Sequence, residues 1–260
     1  MSQNGHIYYF EEKPVQYQPS REQPIIEDYL SYMGTHNNFF VDIGALDGLT
    51  YSNTFFLTQN RWRGVCIECE QKAFATLAYM YRMFPEINLC RMKITPDNVV
   101  ALLIANHVPR NVDFLNLDID GYDYFVLEKI LETFRPMLIC TEINEKIPPP
   151  IKFTVKYNPQ YTWAEDHFYG QSISQLHILC EKYRYALIKL NGINAYLIPK
   201  EINPYPEMRA EQAYREGYLE HPRPEHNKDM EILLEMSPEE GVQFINQYFS
   251  KYNGLFICTL

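Results

Sequence analysis

At 260 residues with 46% hydrophobic content, the chain is long enough for one large domain, or for one domain with appendages around a sizeable core. Its formal net charge is −10 and no clustered run of Lys and Arg occurs, which argues against nucleic acid and anionic membrane surfaces as partners, since both are held by clustered cations. No stretch approaches the roughly 20 apolar residues that span a bilayer, and the residues after Met1 lack the basic-then-apolar layout of a secretory leader, so the cytoplasm is the expected compartment.

Residues 1–23 read as a polar, proline-spaced arm. A helix follows from Pro24, with Ile25, Tyr29, Tyr32 and Met33 at helical spacing and Gly34 ending it. Asn38–Ile43 is a short apolar run closed by glycine, a buried first strand. Residues 51–60 read as a helix, Gly64–Glu68 as the second strand, about 70–83 as a helix and Ile87–Met92 as the third strand. Thr95 at an N-cap and Pro96 behind it predict the next helix. Val112–Ile119 is the fourth strand, 123–134 a helix, and Pro136–Ile143 the fifth strand. Five alternations of strand and helix predict an open, mainly parallel sheet covered on both faces and wound right-handedly.

The second half changes character. Residues 144–171 carry Pro148, Pro149 and Pro150 in a polar, aromatic stretch and read as one long loop, a kind that usually serves function. A helix over 172–183 leads to a hairpin, Tyr185–Leu190 and Ile193–Ile198, with Asn191-Gly192 as a type I′ turn. The tail from 204 holds helical segments at about 207–218 and 237–252, suited to a cap over the site or a homo-oligomer contact. The expected organisation is thus 1–34 arm and helix, 35–203 catalytic domain and 204–260 helical extension. The six cysteines read as free packing residues; Cys66 and Cys69 have C-x-x-C spacing but no second pair, and a strand points them to opposite faces.

Asp42-Ile-Gly44-Ala45-Leu-Asp47-Gly48 falls where the first strand ends, the place where open α/β sheets bind ligands. Glycine there lets backbones approach closely. About 20 residues further on, Glu68 ends the second strand, where an acid accepts both hydroxyls of a ribose. The G-x-G-x-x-G that brings a helix end against pyrophosphate is absent. Asp42 instead offers a carboxylate, better matched to a cationic aminoacyl-sulfonium cofactor.

Phe40 to Thr54, then Trp62 to Glu68, Ile94 to Val99 and Phe114 to Tyr124 resemble FkbM-like S-adenosylmethionine-dependent methyltransferases, over residues 38–143 well and 160–198 loosely. The resemblance implies a Rossmann-like class I methyltransferase fold: α/β, with a seven-stranded, mostly parallel sheet whose last two strands are the antiparallel hairpin. It implies that Asp42, Gly44 and Glu68 bind S-adenosyl-L-methionine, that Ser52 and Asn53 shape the pocket, and that Lys93 and Ile94 lie near the adenine. Ala45, Asp47, Gly48, Cys69 and Asp118 complete the expected cofactor lining. Glu70 departs from the proline the family usually has after the strand-two acid.

Methyl transfer to a hydroxyl needs the acceptor held in line and its proton removed. Asp118, Asp120 and Asp123 put three carboxylates within six residues at the end of the fourth strand, with Asp118 and Asp120 on one strand face. Asp120 is the first candidate for general base. Alternatively Asp118, Asp120 and Glu142 hold Mg²⁺ or another divalent cation, in a pattern similar to that of metal-dependent sugar O-methyltransferases. Asp123 is expected merely to cap the next helix. Glu142 ends the fifth strand, where a buried carboxylate needs a partner, and His167, among loop aromatics, is the other candidate base, acceptor contact or ligand. The expected activity is O-methylation of a sugar, a nucleotide-linked sugar or a similar small polar metabolite. A nicotinamide-dependent oxidoreductase is disfavoured by the missing glycine fingerprint. A non-catalytic interaction module is disfavoured by the joint presence of Asp118, Asp120, Glu142 and His167.

Overall fold

The computed structural model describes Tyr17 and residues 20–260; the arm expected over 1–23 falls largely outside them. Helix α1 (Gln23–Met33) starts with proline in its first turn and buries Ile26, Tyr29 and Leu30. β1 (Phe39–Ile43) is buried at every residue, as a central strand covered on both faces must be. Its side chains alternate between two cores. Phe39, Val41 and Ile43 enter one and Phe40 the other. α2 (Phe55–Gln59), β2 (Arg63–Glu68), α3 (Gln71–Met80), β3 (Ile87–Arg91), α4 (Val99–Ala105), β4 (Phe114–Leu117), α5 (Asp123–Leu131) and β5 (Leu138–Glu142) continue the alternation.

β6 (Lys152–Val155) and α6 (Ile173–Tyr183) lead to the hairpin strands β7 (Tyr185–Asn191) and β8 (Asn194–Pro199). The main sheet has seven strands in the order β3-β2-β1-β4-β5-β8-β7. The first five run parallel, while β8 pairs antiparallel with β5 through Ile139↔Leu197 to Glu142↔Asn194, and β7 antiparallel with β8. The order reverses between β1 and β4, which places the ligand crevice at their carboxyl ends. Among the described residues no helix is long and apolar enough to cross a membrane.

Several boundaries differ from expectation, each for a local reason. α2 is short because Asp47 and Ser52 fold residues 47–55 into turns: Leu49 and Thr50 N–H donate to Asp47 Oδ1, and Phe55 N–H to Ser52 Oγ. Asn98 takes the N-cap position of α4 in place of Thr95; its Oδ1 accepts from Thr95 N–H at 2.8 Å, fixing a turn ahead of the helix. The hairpin turn is Gly192-Ile193, and only Gly192 has positive φ, so it is not a type I′ turn, which needs both central residues there.

The expected loop 144–171 contains a strand. β6 pairs antiparallel with β9 (Phe256–Thr259) at the end of the chain. The extension consists of α7 (Ala210–Tyr214), a π-turn over Arg215–Leu219, short 3₁₀ turns, and α8 (Pro238–Tyr248) with a Ser237/Glu240 capping box. Met230, Leu233, Ile245 and Phe249 pack with Ile147, Ile151, Phe153 and Phe168 into a third core. The tail is thereby bound to the segment that follows β5.

Candidate functional site

The turn after β1 is built by close backbone approach. Gly44 (φ +90°) lies so near β4 that a Cβ there would sit 1.6 Å from the Asp118 carbonyl oxygen. Gly44 and Ala45 N–H both donate to Ile67 O at 3.0 Å, and Asp118 N–H to Ile43 O at 3.0 Å. The ends of β1, β2 and β4 are thus laced together. Glu68, 8% exposed, accepts from Leu46 N–H (2.9 Å) and Glu70 N–H (2.6 Å), so it holds the turn from below. Glu70, where the resembled family has proline, accepts Ala73 N–H and caps α3.

Asp42 is 2% exposed and each oxygen of its carboxylate accepts one hydrogen bond: Oδ2 from Thr54 Oγ1 (2.6 Å) and Oδ1 from Asn116 Nδ2 (2.9 Å). Burial raises its pKa, against the pull of those two donors. Its role in the structure is to tie β1 to the Ser52–Thr54 turn and to β4. Asn53 joins the same network, donating to Asn116 Oδ1 at 3.1 Å, with its own Oδ1 buried and without a hydrogen bond. Ile94 is buried, and its carbonyl accepts from Tyr122 Oη at 2.9 Å. Lys93 donates to the carbonyls of Pro159 and Tyr161, and Cys69 is exposed. All six cysteines are free.

The acids of β4 and β5 meet. Asp118, Asp120 and Glu142 offer one oxygen each within 4.8 Å of one another, the first two partly exposed and Glu142 buried. Strand alternation is not what brings Asp118 and Asp120 together, as β4 ends at Leu117. A turn does so, with Asp120 at φ +50°, a conformation that Asp tolerates better than most residues. Asp123, fully buried, accepts Ile119 and Gly121 N–H, both at 3.0 Å, and so shapes that turn. Tyr122, not Asp123, occupies the N-cap position of α5.

Burial and the neighbouring negative charges push Asp118 and Glu142 well above the usual carboxylate range. Glu142 Oε2 is buried without a hydrogen bond. Asp120 is raised to about 6 by burial and by Asp123 and Glu68, with Lys146 pulling the other way. A base near neutrality is what proton removal at physiological pH requires.

His167 stands apart from this trio. Its Nε2 lies 3.0 Å from Asp229 Oδ1 and its ring faces Tyr248, both in the extension, while its carbonyl accepts from Asn144 Nδ2. Sequence reasoning missed Thr54 and Asn116, which hold Asp42, and Glu145, Lys146 and Tyr169 beside the acids. A polar residue within the apolar strand Phe114–Leu117 was the available signal for Asn116.

The strand order, with one antiparallel strand inserted next to the edge, defines the Rossmann-like α/β fold of class I methyltransferases. No family model and no curated protein matches the chain. Solved structures do. A SAM-dependent methyltransferase from Aquifex aeolicus aligns over 67% of this chain and 89% of its own, at 10% identity and a TM-score of 0.39. The O-methyltransferase from Bacillus cereus in complex with SAH aligns over 68% and 79%, at 16% identity and a TM-score of 0.46. An S-adenosylmethionine-dependent methyltransferase from Clostridium acetobutylicum aligns over 71% and 92%, at 7% identity and a TM-score of 0.43. These likenesses concern the fold alone.

Proposed function

We propose that the chain is an S-adenosylmethionine-dependent methyltransferase of the FkbM-like kind, acting on a hydroxyl of a small polar acceptor such as a sugar or nucleotide-linked sugar. One observation carries this reading: three carboxylates converge at the carboxyl ends of β4 and β5, beside the switch point and the Gly44 turn. The cofactor, when bound, supplies an electrophilic methyl group on a cationic sulfur. Glu68 keeps a second lone pair on each oxygen beyond its two backbone bonds, enough for two ribose hydroxyls. Ala45, Asp47, Gly48, Cys69 and Ile94 line the same end of the sheet. Asp42, Ser52 and Asn53 act beneath it by fixing the turn.

Asp120 takes the acceptor's proton and Glu142 orients the acceptor. Asp120 is favoured over His167 because its carboxylate lies within the trio, whereas the His167 ring is held by Asp229. The donor set also fits a hard divalent cation: three carboxylates within reach of one another, with one buried oxygen of Glu142 unpartnered. Asp118, Asp120 and Glu142 would hold it, and it would lower the pKa of an acceptor hydroxyl. Calorimetry with S-adenosylhomocysteine and separately with NAD tests the class. Binding of the first and not the second is expected; binding of NAD alone would replace this reading with an oxidoreductase.

A further inference from the structure

Beyond Glu142 the chain runs Ile143-Asn-Glu145-Lys146, and here a second charged group is buried. Lys146 and Glu145 side chains are 3% and 2% exposed and stand 3.1 Å apart, Nζ to Oε1. Lys146 Nζ donates to Tyr169 Oη at 2.6 Å, and Tyr169 Oη donates to Glu145 Oε2 at 2.9 Å. The C-terminal extension completes the set: Asn227 Nδ2 donates to Glu145 Oε1 at 2.7 Å, and Tyr214 Oη to the Glu145 carbonyl at 2.8 Å. Asn227, Tyr214 and Tyr218 are all nearly fully buried there. A buried ion pair is kept at a cost in desolvation and needs its remaining donors and acceptors filled; Glu145 has every oxygen filled.

This network abuts the carboxylate trio. Gly170 N–H donates to Gly121 O at 2.8 Å, Asn144 N–H to Gln171 O at 2.7 Å, and Tyr161 Oη to Asp120 O at 3.2 Å. These bonds clamp the segment bearing Tyr169 against the turn bearing Asp118 and Asp120. The Lys146 charge reaches Asp120, and the charges of Glu142 and Asp118 reach Tyr169.

We propose that Lys146, fastened by the C-terminal extension through Glu145 and Asn227, is a positioning residue that sets the net charge of the transfer site. Its ammonium offsets part of the negative charge of Asp118, Asp120 and Glu142, and so limits how strongly the site prefers a cationic ligand over a neutral one of the same shape. Glu145 attenuates that ammonium. The inference rests on the cofactor reading above, and the cofactor itself provides the probe: S-adenosylmethionine carries a sulfonium charge that S-adenosylhomocysteine lacks.

The experiment is calorimetry of both compounds against the full chain, giving the ratio of their dissociation constants. Lys146→Met is expected to shift that ratio toward S-adenosylmethionine roughly fivefold, the effect of about 1 kcal/mol, because Glu145, 3.1 Å from Lys146 Nζ, already offsets most of what an ammonium several ångströms away would exert. Glu145→Gln, close in shape, is expected to shift it the opposite way. Opposed signs cannot come from loosened packing, and Glu145→Gln carries the test alone if Lys146→Met does not fold. Unchanged ratios in folded variants that bind both compounds would overturn the role of Lys146. Wild-type protein that binds neither compound would overturn the cofactor reading itself.

Discussion

Replacing Asp120 with Asn should make the protein more stable at neutral pH, and only there. The carboxyl of Asp120 titrates at about 6 in the folded chain against a reference value of 3.8, so the folded state holds its proton longer than the unfolded state does. Its contribution to stability is complete below the reference value and is lost as pH rises to about 6. At about 1.4 kcal/mol per pKa unit the loss comes to about 3 kcal/mol. Asp120 is partly exposed, and solvent screening reduces this to about 1–2 kcal/mol, still a real fraction of the roughly 5–15 kcal/mol that holds a domain together. Asn tolerates the φ of +50° at this position, so the backbone is not the variable. Urea unfolding at about pH 4, 6 and 7.5 should show wild type and Asp120→Asn alike at the lowest pH and separated by about 1–2 kcal/mol at the highest. Asp118 and Glu142 are also raised, in part by the charge of Asp120, so the difference between the two proteins measures Asp120 together with its effect on these neighbours. Parallel profiles across the range would refute the charge argument.

Gly44→Ala should cost about 3 kcal/mol or more, since it adds a left-handed penalty to a clash with the Asp118 backbone; thermal melts read the loss, and calorimetry the accompanying loss of S-adenosylhomocysteine binding. Thr54→Val keeps the shape but removes the 2.6 Å donor to buried Asp42, and about 1.5–3 kcal/mol of stability should go with it in urea unfolding. In assays of methyl transfer to a sugar that wild type turns over, Asp120→Asn should reduce turnover by roughly 10²–10⁴-fold while S-adenosylhomocysteine binding survives. His167→Ala, which breaks a pair with half-exposed Asp229, should cost under about 1 kcal/mol and leave turnover in place. The reverse outcome would transfer the role of base from Asp120 to His167.

The sheet was legible because its central strands are buried on both faces, and such strands announce themselves as largely apolar runs whatever lies far away in sequence. Phe39–Ile43 and Leu138–Glu142 are examples, buried at every residue. Pairing between distant segments leaves no local mark. β6 is a four-residue run after three prolines, and its ladder partner is β9 at the chain end. Turn geometry was equally hidden. Period-two alternation brings Asp118 and Asp120 to one face, whereas a left-handed Asp120 held by Asp123 is what assembles them.

The glycine of the first turn shows the same limit. Gly44 was assigned to ligand approach; the nearer constraint is the Asp118 carbonyl, which leaves no room for a Cβ. Asp42 follows the same pattern, since its two oxygens hold Thr54 and Asn116. The first motif therefore holds β1, β2 and β4 in register at the crevice, with Glu68 at one side and Asp118, Asp120 and Glu142 at the other. Three acids raised by burial and by one another's charge, near one ammonium paired with Glu145, form a site suited to a further cation. The sulfonium of the proposed cofactor is one such cation, and a divalent metal is another. Because both would draw on the same carboxylates, the residues proposed to tune Lys146 in the extension would bear on either.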